Sequence, residues 1–314
     1  MDKRAQLNLE LLEASKAQNA TNITTHKQQT ARIKGAVGRR LTLQQASPQT
    51  PLPKIPLDFL AIGDSWFEYP LNGNGPSFGN TAIVAQSQLG SMGRTPPPQI
   101  LNQALHGQAT TAMLSYENQE TLISLLQDPQ QWLNQQTHLP DAILVSAGGD
   151  DLVGDQLAIY LDYGGGGLNA QRFQGVLDSV QASYMDLFAF RDIFAKGVPI
   201  IGHCYDYAIP NNVHPICVSS AWLQPSLSFA GYDYNDGLTI VSQMIDKFHD
   251  MLATLATNAA NNFSVIDTRR TLTRDATQPN GWANEIHPYF TGFTALAGKF
   301  LSALRALPQF NNRI

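Results

Sequence analysis

Five short apolar runs punctuate the chain, at residues 57–62, 99–104, 142–146, 198–202 and 263–267. Runs of this length, bounded by glycine, proline and polar residues, read as buried strands. Between them lie longer stretches with helical spacing, at 119–127, 170–194 and 240–259, and a further helix-like run starts near Thr291. Strands alternating with helices imply crossover connections, so the pattern predicts a three-layer α/β/α sandwich around a mostly parallel five-stranded sheet. Ligands of such sheets bind where the strands end at their carboxyl side.

Residues 1–45 follow a different pattern. Leu7, Leu9, Leu11 and Leu12, then Ile33, Val37 and Leu41, are set among Gln, Asn, Lys and Thr. That spacing predicts one or two amphipathic helices packed on the body or on a partner chain. Pro51, Pro53 and Pro56 then stiffen a linker and stop any helix before the first strand. The expected division is a helical extension with a Pro-rich linker over 1–50 and one α/β domain over 51–314. Three loops are long: 71–76 continuing to Pro96–Pro98, the Tyr-, Trp- and Pro-rich segment 205–235, and the segment holding Gly164–Gly167. Long loops at a functional edge are often binding walls or lids. The four glycines read equally well as a plain surface linker.

Composition narrows the function classes. With 314 residues and 43% hydrophobic content, the chain can bury one large core. Only 14% of residues are charged, and 20 basic against 25 acidic residues leave a net charge of −5. Nucleic acid is thereby excluded as a partner, since it needs a concentrated basic face. The basic residues between Lys27 and Arg40 read as a solvated helix face. The first residues are polar and no run is long and apolar enough to span a membrane, so cytoplasmic residence is the expectation, with leaderless export left open. Cys204 and Cys217 are either two thiols or a disulfide closing the intervening loop.

Candidate chemistry starts at Ser65, which the run Ala61-Ile62-Gly63-Asp64-Ser65-Trp66-Phe67 delivers at the end of the first strand. Near the other terminus lies Asn284-Glu285-Ile286-His287-Pro288. A serine hydroxyl becomes a competent nucleophile when a base takes its proton, and His287 is the candidate base. Gly63-Asp64-Ser65, then Asn102 with Gly107, then Gly148-Gly149-Asp150-Asp151, then His287-Pro288 resemble the four sequence blocks of the SGNH/GDSL hydrolase superfamily. The resemblance spans roughly residues 57–300 and implies a flavodoxin-like SGNH hydrolase fold. It implies a serine esterase or lipase-like enzyme that needs neither cofactor nor metal. On that resemblance Ser65 attacks the ester, His287 is general base and acid, and the oxyanion is held by Ser65 N–H, Gly107 N–H and a block-three side chain.

Two positions depart from the family pattern. The block-three asparagine is Asp150, which can donate a hydrogen bond only as a protonated acid; otherwise it points elsewhere and two backbone donors remain. The aspartate three positions before the histidine is Asn284, leaving Glu285, Asn284, a backbone carbonyl, Asp64 or Asp206 to orient the imidazole. His287 is expected to titrate near neutral pH unless perturbed. Trp66, Tyr205, Asp206, Tyr207 and Trp222 are candidate substrate-binding residues, with His203 and Phe229 beside them, and Arg94 could meet an acidic group. The expected substrate is a small-molecule, lipid or glycan ester. Two other readings stay open: a catalytically silent domain that binds a glycan or lipid, and an assembly protein that oligomerises through its N-terminal helices.

Overall fold

A computed structural model of the chain describes residues 3–47, 49, 51, 54–76, 80–91, 96–275, 277, 278 and 280–310. Its core is a five-stranded sheet of β1 (Asp58–Gly63), β2 (Gln99–Asn102), β3 (Ala142–Ser146), β4 (Ile200–His203) and β5 (Phe263–Ile266). The spatial order is β2-β1-β3-β4-β5, and all four pairings are parallel. β1 and β3 are buried at every position, as continuous apolar runs require when both faces of a sheet are covered. The flanking helices are α1 (Lys3–Ala46), α2 (Tyr116–Gln127), the single turn α3 (Gly149–Leu152), α4 (Ala170–Phe194), α5 (Gln224–Phe229), α6 (Tyr234–Thr257) and α7 (Phe290–Ala306). Together they build the three-layer α/β/α fold that the pattern predicts.

The helix boundaries follow local chemistry. α6 starts six residues before its apolar stripe reaches Ile240, because the Asp233 side chain accepts from the Asp236 amide and caps the first turn. α4 is capped in the same way by Asn169 on Arg172 N. Gly164–Gly166 lie in the turn of a small hairpin between Leu161–Asp162 and Gly167–Leu168, pinned by Gly167 N–H donating to the Tyr232 hydroxyl at 2.6 Å.

α1 is one helix of 44 residues and lies along the outer side of β2, the strand at one end of the sheet. Its inward stripe, Leu7, Leu11, Ser15, Asn19, Ile23, His26, Thr30, Ile33 and Val37, keeps helical spacing but is polar in the middle. Each of those polar groups meets the body. Ser15 donates to Glu68 at 3.0 Å, Asn19 to the Ala104 carbonyl at 3.0 Å and Thr30 to the Gln131 carbonyl at 3.1 Å. The His26 ring bridges Asp58 at 2.7 Å and Gln131 at 2.9 Å. Asn22 reaches the Asn102 carbonyl at 3.3 Å, so Asn22 and Asn19 satisfy carbonyls at the end of the strand and just beyond it. Leu9 and Leu41, counted in the sequence as part of the packed face, are exposed.

Candidate active site

With this strand order the chain leaves β1 for one side of the sheet, to form β2, and returns to the other side for β3. The crevice at the carboxyl ends of β1 and β3 is therefore the topological switch point where ligands bind. Gly63 ends β1 at φ +131°, and a Cβ there would sit 1.9 Å from the Ser146 carbonyl oxygen of β3. Only glycine fits so close to the neighbouring backbone. Asp64 then holds the turn. One carboxylate oxygen accepts from Trp66 N–H at 3.0 Å and from the Ser146 hydroxyl at 2.5 Å, and the other accepts from the Tyr205 hydroxyl. Ser65 is presented between these anchors.

His287 meets it from the opposite end of the chain. Its Nε2 lies 2.7 Å from Ser65 Oγ, and its Nδ1 lies 3.1 Å from Asn284 Oδ1. The tautomer follows from the surrounding network. Asn74 donates to the Ala283 carbonyl at 2.7 Å, so its oxygen faces Asn284, whose Nδ2 donates to Asn74 Oδ1 and to the Tyr69 hydroxyl, each at 3.0 Å. Asn284 Oδ1 is thus an acceptor, Nδ1 carries the proton, and the Nε2 lone pair faces the serine. Tyr69 stacks on the imidazole at 4.1 Å and Trp222 meets it edge-on at 5.3 Å. Burial, with a smaller push from His106, lowers the His287 pKa to about 3. The expected titration near neutral pH is corrected accordingly: this base stays unprotonated well into the acid range.

Several candidate residues sit elsewhere. Glu285 does not reach the imidazole, because its carboxylate accepts from the backbone amides of Asn212, Leu223 and Gln224 at 2.9, 2.5 and 2.9 Å. It pins the loop that carries Trp222. Asp206, likewise not at the imidazole, accepts from the amides of Arg270, Thr271 and Leu272, and the Tyr207 hydroxyl donates to Asp246 at 2.7 Å. Phe229 is 73% exposed. Cys204 and Cys217 are both unpaired, and Arg94 and Pro53 lie outside the described residues. His203 forms a second serine–histidine contact, with Nε2 2.9 Å from Ser146 Oγ. Both residues are fully buried and border neither cavity at the site, so this pair braces Asp64 from beneath.

Block two and block three complete the crevice. Asn102 donates to the Phe67 carbonyl at 2.9 Å, tying the end of β2 to the turn that carries Ser65, and Gly107 borders the same cleft as Ser65 and His287. Asp150 borders both cavities together with Ser65, and its Oδ2 is buried without a hydrogen-bond partner among the described residues. Burial first, then the charges of Asp64 and Asp151, hold its pKa well above the usual carboxylate range. Two cavities meet here and share Ser65, Asp150 and Ile286. One, a narrow cavity of about 50 Å³, is largely apolar and runs past Leu152, Val153, Leu223, Val241, Met244 and Ile245, with Trp66, Tyr205 and Asp206 also on its wall. The other, wider at about 280 Å³, is bordered by His287, Tyr69, His106, Gly107 and Trp222. Val241, Met244 and Ile245 belong to the helical stripe of α6, which reads in sequence as plain core.

No protein-family model matches the chain, and no curated protein matches it at significant similarity. Among solved structures, the lipase Lip_vut3 from a goat rumen metagenome is 18% identical, with a TM-score of 0.49, covering 79% of this chain and 97% of that one. An extracellular lipase from Streptomyces rimosus is 16% identical, with a TM-score of 0.47, covering 79% of this chain and 99% of that one. Phospholipase A1 from Streptomyces albidoflavus is 12% identical, with a TM-score of 0.46 and coverage of 79% and 99%. These are distant likenesses in fold. The resemblance to SGNH/GDSL hydrolases holds in three dimensions within the chain itself, since its four blocks converge on one crevice around a serine–histidine pair of hydrolase type. The cytoplasmic expectation is corrected: one of the similar structures is an extracellular lipase, and the polar first residues do not set a compartment. Among the described residues, no helix is long and apolar enough to cross a membrane.

Proposed function

We propose that this chain hydrolyses carboxylic esters through an acyl-enzyme on Ser65. The carrying observation is the 2.7 Å contact between Ser65 Oγ and the unprotonated Nε2 of His287. Ser65 Oγ attacks the ester carbonyl while its proton moves to Nε2; the tetrahedral adduct collapses as Nε2 returns that proton to the departing alkoxide. Water, giving its proton to the same nitrogen, then releases the acid and regenerates the serine. Ser65 N–H and Gly107 N–H are assigned to the developing oxyanion, together with Asp150 as a neutral carboxylic acid, a role supported by its unpartnered buried oxygen. Asn284 is assigned to hold the imidazole, and Glu285 acts one step back by fixing the loop of Trp222. Residues 1–50 are assigned as an extension and 51–314 as the catalytic domain, and the narrow, largely apolar cavity favours esters with a short aliphatic acyl chain.

Labelling with a fluorophosphonate probe, read beside turnover of p-nitrophenyl butyrate, tests the proposal. Wild-type protein should label and turn over, and Ser65→Ala should do neither. A wild type that binds ester but neither labels nor hydrolyses would instead establish a silent, ligand-binding cleft.

A further inference from the structure

The two cavities that meet at Ser65 are not equivalent, because His287 borders only one of them. The imidazole must hand its proton to the departing oxygen, so the alcohol half of the ester lies on the His287 side. The acyl half then lies toward the other, narrow and largely apolar cavity.

The alcohol-side cavity has a wall from outside the α/β domain. Asn8, Leu11 and Leu12, in the early turns of α1, border it together with Ser65, His287 and Trp222. Their spacing, i, i+3 and i+4, places them on one face of the helix, and Ser15 continues that face at i+7. The wall is anchored at Ser15, which donates to Glu68 at 3.0 Å, and one turn later by Asn19 on the Ala104 carbonyl at 3.0 Å. Glu68 adjoins Tyr69, the ring stacked on His287, so the helix is fixed relative to the base itself. Leu11 and Leu12 are half-buried, leaving apolar surface for a ligand to cover.

We propose that the N-terminal end of α1 determines leaving-group specificity: Leu11 and Leu12 receive the aliphatic part of the departing alcohol and select esters of longer-chain alcohols. The inference rests on the ester-hydrolase reading and deepens it. Hydrophobic contact amounts to about 0.8 kcal/mol per methylene, so kcat/KM should rise up to about fourfold for each alcohol carbon that reaches the wall.

Two ester series separate the halves of the site. Alkyl butyrates from methyl to octyl vary the alcohol, and p-nitrophenyl esters from acetate to decanoate vary the acyl chain. Both are run on the full chain as wild type, as Leu11→Ala with Leu12→Ala, and as Leu12→Trp, with thermal melts confirming folding. The double alanine variant should flatten the alcohol dependence to below about twofold per carbon. Leu12→Trp should shorten the longest alcohol accepted, and both should leave the acyl dependence unchanged. An alcohol dependence identical in wild type and in the folded variants overturns the assignment, as does a change confined to the acyl series. Wild-type turnover of the p-nitrophenyl series is read first; its absence sinks the hydrolase reading and this proposal with it.

Discussion

Replacing Asp150 separates a neutral donor from a repelling charge. The carboxyl sits beside Ser65 with a buried, unpartnered oxygen, and burial together with Asp64 and Asp151 raises its pKa. A raised pKa means the proton is held to higher pH than in an ordinary carboxyl and is lost as pH climbs. Below that transition the acid donates to the oxyanion; above it a carboxylate opposes the same negative charge. Truncation in Asp150→Ala removes the donor, and the loss of one such donor is about 3 kcal/mol in the transition state, or roughly 100- to 1,000-fold in kcat. Asp150→Asn keeps a donor that cannot ionise, so at pH 6 it should stay within about tenfold of wild type.

The alkaline side then divides the two proteins. One pH unit corresponds to about 1.4 kcal/mol, so wild-type kcat should fall about tenfold per unit beyond the transition, and the asparagine variant should not follow. The assay is kcat for p-nitrophenyl butyrate between pH 5 and 9.5 in all three proteins, corrected for spontaneous hydrolysis. Parallel profiles for wild type and Asp150→Asn refute the titrating donor. An alanine variant within threefold of wild type refutes any donor role at this position.

The acid limb belongs to His287: with its pKa lowered to about 3, kcat/KM should stay flat from pH 8 down to about 4. Asn284→Asp places a carboxylate at Nδ1, favours the imidazolium and should move that limb upward by at least about one unit, and a limb that does not move contradicts the orienting role. Glu68, raised by burial to about 7 from an ordinary 4.5, favours folding as a neutral acid. Its contribution is complete below pH 4.5 and is lost as pH rises through 7, an effect of up to about 3 kcal/mol. Glu68→Gln keeps an acceptor for Ser15, so thermal melts should show stabilisation at pH 8 and little change at pH 4.5; an equal shift at both values contradicts the linkage.

The sheet and the position of Ser65 at a strand end were legible because their signals are local. Apolar runs bounded by breakers mark all five strands, and Gly63 before Asp64-Ser65 is demanded by the Ser146 carbonyl only 1.9 Å from where its Cβ would be. The partner of His287 stayed open because Asn284 and Glu285 are adjacent in sequence, and what separates them is long-range. Glu285 is claimed by amides more than 60 positions away, whereas Asn284 is locked by Tyr69 and Asn74. The seat of α1 was hidden for another reason. Its central contacts are Ser15, Asn19, His26 and Thr30, and a search for an apolar stripe passes over a face whose hydrogen bonds are made to distant carboxylates and backbone carbonyls.

That seat has a bearing on handling the molecule. Asn22 occupies the carbonyl of Asn102, the last residue of β2, and Asn19 that of Ala104 just past it, along the border where the sheet has no further strand among the described residues. A version trimmed to the α/β body would leave this border bare, a ready template for strand-to-strand stacking between copies. Low solubility of such a trimmed protein would then reflect sticky sheet borders and carry no information about the chemistry at Ser65.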